Sequence, residues 1–350
     1  MKQSKTIVLT GGGTAGHITP NLALCSELEK HFQKIVYVGS GGMEKQLAKD
    51  FGLEFKEIPA VKLVRSLSLK NLKIPFLLLK SIKAAKKVLK EISPNVVFSK
   101  GGYVSIPVAI AAKRLNIPVI THESDLSLGL ANKIISHYSV LTLTTFSKTA
   151  ENKKNFLYVG SPVRQQIFNG KKENLPFKLN PNKKTVLFFG GSLGAKAINQ
   201  FVYDNVEILS RKYNVLHLTG KGKAKQISAP DYHQQEFSNE IENYFDAANF
   251  VVCRAGANSI FELLAIKKPM LLIPLSKAES RGDQIDNANY FKEKGMCQVL
   301  LQENLNCENL FEKLKILEKD EEKIKNKIFS ENLSNSNKRI VEIIVKNSKN

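Results

Sequence analysis

The chain has 350 residues, more than one hydrophobic core usually supports, so two domains are expected. Hydrophobic residues make up 43% and charged residues 24%, which excludes wholesale disorder and a disulfide-dense scaffold. The net charge of +20 leaves three interpretations open: a nucleic-acid binder, a protein that lies on an anionic membrane, and a lysine-rich composition without a function of its own. No apolar run approaches the roughly 20 residues of a bilayer crossing, and the N-terminal apolar stretch is too short for a signal peptide, so we expect a cytoplasmic protein.

Short apolar segments alternate along the chain with segments of helical periodicity, such as 21–30, 106–115 and 258–264. The apolar segments lack alternating polar residues, which is typical of strands buried on both faces of a parallel sheet. The sequence therefore predicts open α/β sheets. The predicted strands are 6–10, 35–38, 55–58, 96–99, 119–122, 141–144, 157–159, 185–189, 215–219, 235–237, 250–253, 270–273 and 298–301.

The same theme occurs twice, because a strand runs into a glycine-rich turn and a helix at 7–17 and again at 186–195. The stretch 168–184 between them is rich in Asn, Lys, Pro and Gly and is predicted to be an interdomain linker. We therefore predict domains at 1–163 and 164–334. A C-terminal helix of about 335–350 could pack back on the first domain.

The first glycine-rich turn, 11–16, spells Gly-x-Gly-x-x-Gly between a strand and a helix, a pattern that favours a dinucleotide site. No acidic residue follows the second strand until Glu44, so the ribose contact of an NAD site is missing. Similar turns follow at 99–105 and 190–194. Backbone N–H groups and positive helix ends at such turns suit phosphate oxygens, although close helix–strand packing is the alternative. Two phosphate sites, one in each domain, would suit a transferase with a pyrophosphate on both donor and acceptor.

Polar side chains follow several predicted strands at the edge where α/β sites lie. His17 begins a helix, where a neutral imidazole could act as a base, and helix capping is the alternative. His-Glu-Ser-Asp at 122–125 follows another strand. Glu262 lies on the first turns of a later helix, where it could accept two ribose hydroxyls or act as a capping-box glutamate.

Taken together, these motifs resemble the bacterial family of UDP-N-acetylglucosamine:N-acetylmuramyl-(pentapeptide) pyrophosphoryl-undecaprenol N-acetylglucosamine transferases, which make lipid II. The resemblance runs from Gly11 to about Asn289. It rests on the segments 12–20 (Gly-Gly-Thr-Ala-Gly-His-Ile-Thr-Pro), 101–105, 122–123, 129–133, 161–164, 190–195 and 253–256, with Glu262, Gln284 and Asn287-Ala288. It implies the B-type glycosyltransferase fold, an α/β fold with two Rossmann-like domains that face each other across a cleft.

The resemblance also implies roles for individual residues. The C-terminal domain would bind UDP-N-acetylglucosamine, and the N-terminal domain would face the membrane and bind the lipid-linked acceptor. His17 is the first choice for the catalytic base and Glu123 the second. The acceptor pyrophosphate would be bound by Gly13, Gly101, Gly102 and Tyr103. The donor would be bound by Thr14, Ala15, Gly16, Asp125, Arg164, Ser192, Ser238, Ala257, Asn258, Ser259, Ile260, Phe261, Glu262 and Gln284. Ala15, Asp125 and Ser238 depart from the family pattern of Gly, Asn and an aliphatic residue.

The stretch between Glu57 and Glu91 contains nine basic residues and no acidic one, with leucines, isoleucines and Phe76 interleaved. Such a pattern is typical of an apolar patch rimmed by lysines that lies on anionic lipid. An amphipathic core helix with a solvated basic face is the alternative.

The sequence thus predicts an inverting transfer of N-acetylglucosamine from UDP-N-acetylglucosamine to the 4-hydroxyl of the muramyl sugar of undecaprenyl-pyrophosphoryl-MurNAc-pentapeptide (lipid I). The product is lipid II, for peptidoglycan synthesis at the cytoplasmic face of the cell membrane. Predicted partners are the two substrates, the anionic inner leaflet and cell-wall synthesis proteins, but no nucleic acid. No cofactor or metal is expected, because no Asp-x-Asp motif occurs and the cysteines lack metal-ligand spacing. Two alternatives stay open: transfer to diacylglycerol on the same fold, and a basic nucleic-acid-binding module with few aromatics.

Overall fold

The computed structural model describes residues 5–60, 74–191, 194–280, 282–330 and 336–349. They divide into two compact units, one within Met1–Arg164 and Asn335–Asn350 and the other within Gln165–Ser334. Each unit is built on a fully parallel sheet, which confirms the predicted α/β architecture. No helix in the described ranges is both long and apolar enough to cross a membrane.

The first unit has a seven-stranded sheet in the order β3-β2-β1-β4-β5-β6-β7. The strands are β1 (Thr6–Thr10), β2 (Lys34–Gly39), β3 (Glu54–Glu57), β4 (Val96–Ser99), β5 (Val119–Glu123), β6 (Leu141–Thr144) and β7 (Phe156–Tyr158). The order along the sheet reverses at β1, which pairs with β2 on one side and β4 on the other. The loops that leave β1 and β4 therefore flank the crevice where open α/β sheets bind ligands.

Helices cover both faces of this sheet, because its inner strands are buried and place apolar side chains in a core cluster on each side. They are α1 (Ala15–Leu22), α2 (Cys25–Leu28), α3 (Met43–Asp50), α4 (Ile74–Ile92), α5 (Ser105–Arg114), α6 (Leu130–Ser136) and α7 (Ser147–Ala150). Ile82, Ala85 and Leu89 of α4 are buried in one of the two core clusters. The first turns of the same helix expose Phe76, with 76% of its surface accessible, and Leu79.

The second unit repeats the theme with a six-stranded sheet in the order β10-β9-β8-β11-β12-β13. Its strands are β8 (Thr185–Phe189), β9 (Asn214–Leu218), β10 (Tyr232–Gln235), β11 (Phe250–Cys253), β12 (Met270–Leu272) and β13 (Gln298–Val299). Its helices are α8 (Lys196–Asp204), α9 (Val206–Lys212), α10 (Ile241–Ala247), α11 (Ala257–Ala265), α12 (Asp283–Glu293), α13 (Cys307–Lys319) and α14 (Glu321–Ser330). The order reverses at β8, between β9 and β11.

The last helix, α15 (Ser336–Lys346), belongs to the first unit although it ends the chain. Ile340, Val341 and Ile344 are buried in the core cluster that also contains residues of β1, α1 and α2. The side chain of Asn337 accepts a hydrogen bond from the backbone N–H of Val163 at 2.9 Å and donates to the carbonyl oxygens of Val163 and Ala23. These contacts attach the end of the chain to the first unit.

Two predicted segments differ most from the structure, whereas several other strands are shifted or shortened by one or two residues. A strand was predicted at 235–237, but β10 ends at Gln235, and Phe237, whose apolar ring suggested a buried strand, is exposed. The predicted linker 168–184 packs on the second unit, because the backbone N–H groups of Lys171 and Lys172 donate to Asn243 and Asp246 of α10. The segment 168–184 is polar because most of its side chains face solvent, although its Leu175 is buried.

Candidate functional site

Two glycine-rich loops meet at the carboxyl edge of the first sheet. Because β1 and β4 are adjacent parallel strands, their loops leave the sheet side by side. The backbone N–H of Lys100 donates to the carbonyl oxygen of Thr10 at 2.9 Å and joins the loops at their base. Three of the residues predicted to bind the acceptor pyrophosphate, Gly101, Gly102 and Tyr103, therefore lie beside the fourth, Gly13.

The contact between the loops requires glycine. A Cβ atom on Gly102 would lie 2.3 Å from the carbonyl oxygen of Gly12, and a Cβ atom on Gly13 would lie 2.7 Å from the ring of Tyr103. Both glycines have positive φ, +81° for Gly102 and +89° for Gly13, which other residues adopt at a cost. The two turns thus form one continuous backbone surface at the start of α1 and α5.

His17 lies in the first turn of α1, half-buried, and faces the second loop. Its Nδ1 lies 2.9 Å from the carbonyl oxygen of Lys100, and because a carbonyl only accepts, Nδ1 donates and Nε2 has the lone pair. Burial lowers the pKa of His17 below its usual value; the hydrogen bond to Lys100 raises it, the Lys100 ammonium lowers it and Asp125 raises it. His17 is therefore a neutral imidazole with its basic nitrogen directed away from the Lys100 carbonyl.

Lys100, whose carbonyl oxygen contacts His17, has a buried side chain that pairs with His122. The side chain of Lys100 is 1% exposed, and its Nζ lies 2.6 Å from Nδ1 of His122 and 2.7 Å from Oγ of Ser124. The Nε2 of His122 lies 2.9 Å from the carbonyl oxygen of Gly160. Burial, and then the Lys100 ammonium, lower the pKa of His122 well below its usual value, so this ring is neutral.

Glu123, the second choice for the base, accepts three hydrogen bonds. Its Oε1 accepts from the backbone N–H of Asp125 at 3.0 Å, and its Oε2 accepts from the N–H of Gly129 and from Nδ2 of Asn132, both at 3.0 Å. The carboxylate is buried and holds the loop between β5 and α6. These contacts favour a role in fixing that loop over proton abstraction.

The residues predicted to contact the donor are divided between the units. In the first unit, Thr14, Ala15 and Gly16 lie at the start of α1, and Asp125 follows β5. Arg164 is the residue at which the chain leaves the first unit for the second. In the second unit, Ser238 follows β10, the run from Ala257 to Glu262 opens α11, and Gln284 lies in the first turn of α12. Ser192 lies outside the described residues.

The loop after β8 is the counterpart of the first glycine loop. The backbone N–H of Gly194 donates to the carbonyl oxygen of Gly191 at 2.9 Å and closes a tight turn before α8. A Cβ atom on Gly194 would lie 1.9 Å from the carbonyl oxygen of Thr219, so the turn is pressed against the end of β9. It lies at the reversal point of the second sheet.

The helix α11 presents a mixed set of side chains. Ile260 and Phe261 are buried, so their side chains serve the core and any donor contact they make is through the backbone. Asn258, Ser259 and Glu262 are half-buried. The side chain of Gln284 accepts from the backbone N–H of Leu275 at 3.1 Å, which attaches α12 to the loop after β12.

The structure places in this site two residues, Lys100 and Asn132, for which the sequence motifs predict no individual role. Lys100 was treated only as part of a glycine-rich turn, and Asn132 only as part of a motif. Asn132 accepts from Thr121 at 2.9 Å and donates to Glu123, and its Oδ1 lies 2.7 Å from the position that a Cβ on Gly101 would take. A lysine directly after a buried apolar strand was the available signal for Lys100.

The site in the first unit combines a glycine-lined backbone surface suited to phosphate oxygens with one neutral imidazole that can accept a proton. The second unit offers a second glycine turn and an acidic side chain on α11. Within the described residues, no group of three or more His, Cys, Asp and Glu side chains could hold a metal ion.

Known protein families and relatives match nearly the whole chain. Residues 7–142 match the glycosyltransferase family 28 N-terminal domain, and residues 185–343 match the glycosyltransferase family 28 C-terminal domain. A protein of Clostridium botulinum (strain Alaska E43 / Type E3), named UDP-N-acetylglucosamine--N-acetylmuramyl-(pentapeptide) pyrophosphoryl-undecaprenol N-acetylglucosamine transferase, is 44% identical over 98% of this chain and 98% of its own. A protein of Clostridium tetani with the same name is 42% identical, again over 98% of each chain.

Two solved structures share the fold. The crystal structure of Acinetobacter baumannii MurG superposes with a TM-score of 0.76 at 23% identity, over 98% of this chain and 99% of that one. The UDP-GlcNAc 2-epimerase of Neisseria meningitidis superposes with a TM-score of 0.67 at 16% identity, over 98% and 100%. At these identities the likeness concerns the fold alone.

Proposed function

Because the chain belongs to glycosyltransferase family 28, we propose that it transfers N-acetylglucosamine from UDP-N-acetylglucosamine to the 4-hydroxyl of the muramyl sugar of lipid I, which yields lipid II and UDP. The near-complete match to relatives named for this reaction is the observation that carries the proposal. Family membership confirms the resemblance, the B-type fold and the enzyme class predicted from the motifs.

The reaction is an in-line displacement. The 4-hydroxyl oxygen of the acceptor bonds to the anomeric carbon of N-acetylglucosamine while the bond from that carbon to the diphosphate oxygen breaks. His17 accepts the hydroxyl proton at Nε2, because its Nδ1 donates to the Lys100 carbonyl and burial keeps the ring neutral. Glu123 acts by fixing the loop beside it, since three N–H donors occupy its carboxylate.

The joined glycine loops of the first unit bind the acceptor pyrophosphate. Gly13, Gly101 and Gly102 bring backbone close to the ligand without side chains, and Tyr103 flanks them. The starts of α1 and α5 add the positive ends of two helix dipoles. The side chains of Thr14, Asp125 and Arg164 supply further polar and charged contacts to the donor, and Gly16 contributes its backbone.

The second unit binds UDP-N-acetylglucosamine. The glycine turn after β8 and the start of α11 bind the diphosphate, and negative charge that develops on the leaving UDP is stabilised there and by Arg164. The resemblance assigns Ser192, which lies outside the described residues, to the same ligand. Glu262 accepts the ribose hydroxyls, and Ser238 contacts the uracil through its backbone. Ala257, Ile260 and Phe261 contribute backbone only, because their side chains are buried.

The enzyme acts at the cytoplasmic face of the cell membrane, on which α4 docks. Phe76, Leu77 and Leu79 are exposed beside the lysines of the same helix, and this combination suits an anionic lipid surface. Residues 62–73, the N-terminal part of the predicted stretch, lie outside the described residues. Cell-wall synthesis proteins that act on the same lipid are its further partners.

Transfer of radiolabel from UDP-N-acetylglucosamine tests the proposal. The purified protein should label lipid I and leave diacylglycerol unlabelled. Labelling of diacylglycerol alone would assign the second acceptor, and no transfer to either lipid would contradict the proposed reaction.

A further inference from the structure

Lys100 is a buried charge within the site that the reaction described above does not use. Lysine side chains are almost never fully buried without partners, since burial of an ammonium is costly. Here the partners are His122, at 2.6 Å, which lies in the neighbouring strand β5, and Ser124, at 2.7 Å, which directly follows that strand. The ammonium therefore connects the glycine loop after β4 to the loop that carries Asp125.

The hydrogen-bond directions in this cluster are determined. The Gly160 carbonyl can only accept, so Nε2 of His122 has the proton and Nδ1 has the lone pair that accepts from Lys100. Lys100 also donates to Ser124. The backbone carbonyl of the same lysine accepts from His17. One residue thus contacts the base, the loop after β5 and the buried His122.

We propose, on the basis of the glycosyl transfer set out above, that Lys100 is a positioning residue for that reaction. Its carbonyl orients His17, its ammonium fixes Ser124 and the start of the loop that carries Asp125, and its positive charge keeps a second proton off His17.

The charges around the cluster agree with this role. Burial lowers the pKa of Lys100 well below the usual range of a lysine, while Glu123 and then Asp125 raise it. The ammonium in turn lowers the pKa of His17, whereas the Asp125 carboxylate raises it. Among the described residues, the charged groups that act on His17 are Lys100 and Asp125, which have opposite signs. Loss of the lysine charge leaves the carboxylate to favour protonation of His17.

Two substitutions separate charge from hydrogen bonding. Lys100→Met keeps a long unbranched side chain but removes the ammonium, a change that buried charges often tolerate without loss of stability. Lys100→Gln keeps an N–H donor for His122 and Ser124 without the charge. Lys113→Met, at an exposed position on α5, is the matched control. The full-length proteins are assayed for transfer to lipid I across the pH range, with thermal unfolding recorded for each.

In both variants the acid limb of the kcat profile should move up by about half a pH unit or more, because His17 loses a neighbouring positive charge. At the plateau, kcat of Lys100→Met should fall about tenfold or more while that of Lys100→Gln falls less, since only the methionine leaves Ser124 and His122 without a donor. The KM for the UDP-sugar should stay near that of the wild type in both. Lys113→Met should match the wild type throughout.

An acid limb that stays in place in both variants, whether kcat falls or not, overturns the proposal and leaves Lys100 a packing residue. If Lys100→Met does not fold, Lys100→Gln carries the same test. If the wild type transfers no sugar to lipid I, the proposed function is contradicted. Titration of His17 by NMR, in the wild type and in both variants, then still shows whether the charge of Lys100 affects the protonation of His17. An unchanged titration midpoint would refute this effect.

Discussion

A Cβ atom on Gly102 would stand 2.3 Å from the carbonyl oxygen of Gly12, so the glycine loops after β1 and β4 touch backbone to backbone. The two loops are separated by almost ninety residues of sequence and yet act as one surface. Phosphate oxygens that bind to one loop are therefore within reach of the other, and a displacement of either loop displaces both.

Gly102→Ala should destabilise the first unit and raise the KM for lipid I. The methyl group meets backbone, which cannot move as a flexible side chain would, and φ at this position is +81°. The positive φ alone costs about 1–2 kcal/mol, and the clash adds to it. Gly52→Ala is the matched control, because Gly52 has a φ of +76° and nothing within 4 Å of the added Cβ. Thermal unfolding of both variants checks the difference, and equal losses would contradict the close contact.

His17→Ala should lower kcat by about 100-fold or more, the usual effect of removing a general base, with little change in UDP binding. His137→Ala, at an exposed position, should leave kcat unchanged. Steady-state kinetics and calorimetric titration with UDP check this. Collapse of UDP affinity with kcat preserved at saturation would make His17 a binding residue instead.

The pH dependence follows from the neutral state of His17. Burial lowers its pKa, so wild-type kcat should hold below pH 6.5, the usual value for histidine, and fall only as pH drops through the lowered value. The unfolded chain binds this proton at higher pH than the folded one, so the stability tied to His17 is present above about pH 6.5 and is lost as pH falls. A kcat profile whose acid limb lies above pH 6.5 would contradict the neutral-base assignment.

Glu262→Ala should raise the KM for UDP-N-acetylglucosamine at least tenfold, a loss of about 1.4 kcal/mol, because two ribose hydroxyls lose their acceptor. Glu308→Ala, on the exposed first turn of α13, is the control. Initial rates at varied donor concentration give the comparison. A folded Glu262→Ala protein with the wild-type KM would remove Glu262 from the donor site.

Charge reversal on α4 should release the protein from anionic vesicles. Each basic side chain near such a surface contributes about 1 kcal/mol, whereas insertion of Phe76 and its neighbours is not screened by salt. High salt alone should therefore release only part of the protein, and replacement of Lys80, Lys83, Lys86 and Lys87 by Glu should release much more. Activity on a short-chain, water-soluble acceptor should survive.

Co-sedimentation with vesicles measures this release. The matched control carries four Glu substitutions at exposed lysines of the second unit: Lys178, Lys292, Lys319 and Lys323. It should bind vesicles far better than the α4 variant. If the α4 variant sediments as the wild type does, the helix is an ordinary amphipathic core helix and the docking surface lies elsewhere.

Local patterns in the sequence predicted most strands well, because short apolar runs between glycine turns are typical of buried strands in parallel sheets. β1 and β8 have the predicted bounds. β10 was displaced by three residues because it is an edge strand of mostly polar residues, Tyr-His-Gln-Gln, whereas Phe237 supplied a misleading apolar signal. Burial, which decides such cases, depends on neighbouring strands that a local pattern does not reveal.

The sequence predicts the site residues that lie in loops after strands. It does not predict the side-chain contacts that join one strand to the next. His17 and the glycines could be placed beyond strand ends from spacing alone. The pairing of Lys100 with His122 joins the residue after β4 to a residue of β5, and nothing in either segment indicates the distance between them. The hydrogen bonds of Glu123 to Gly129 and Asn132 likewise appear only once α6 folds back over β5.

The return of α15 to the first unit affects the order in which the protein is made. Ile340, Val341 and Ile344 complete a core whose other members are synthesised within the first 160 residues. During translation, the first unit therefore lacks its last helix until the entire second unit has been synthesised. Until then, the apolar surface beside α2 is not covered by α15. Translation that stops after α14 would release a chain with an intact second unit and an incomplete first one, a natural substrate for chaperones and proteases.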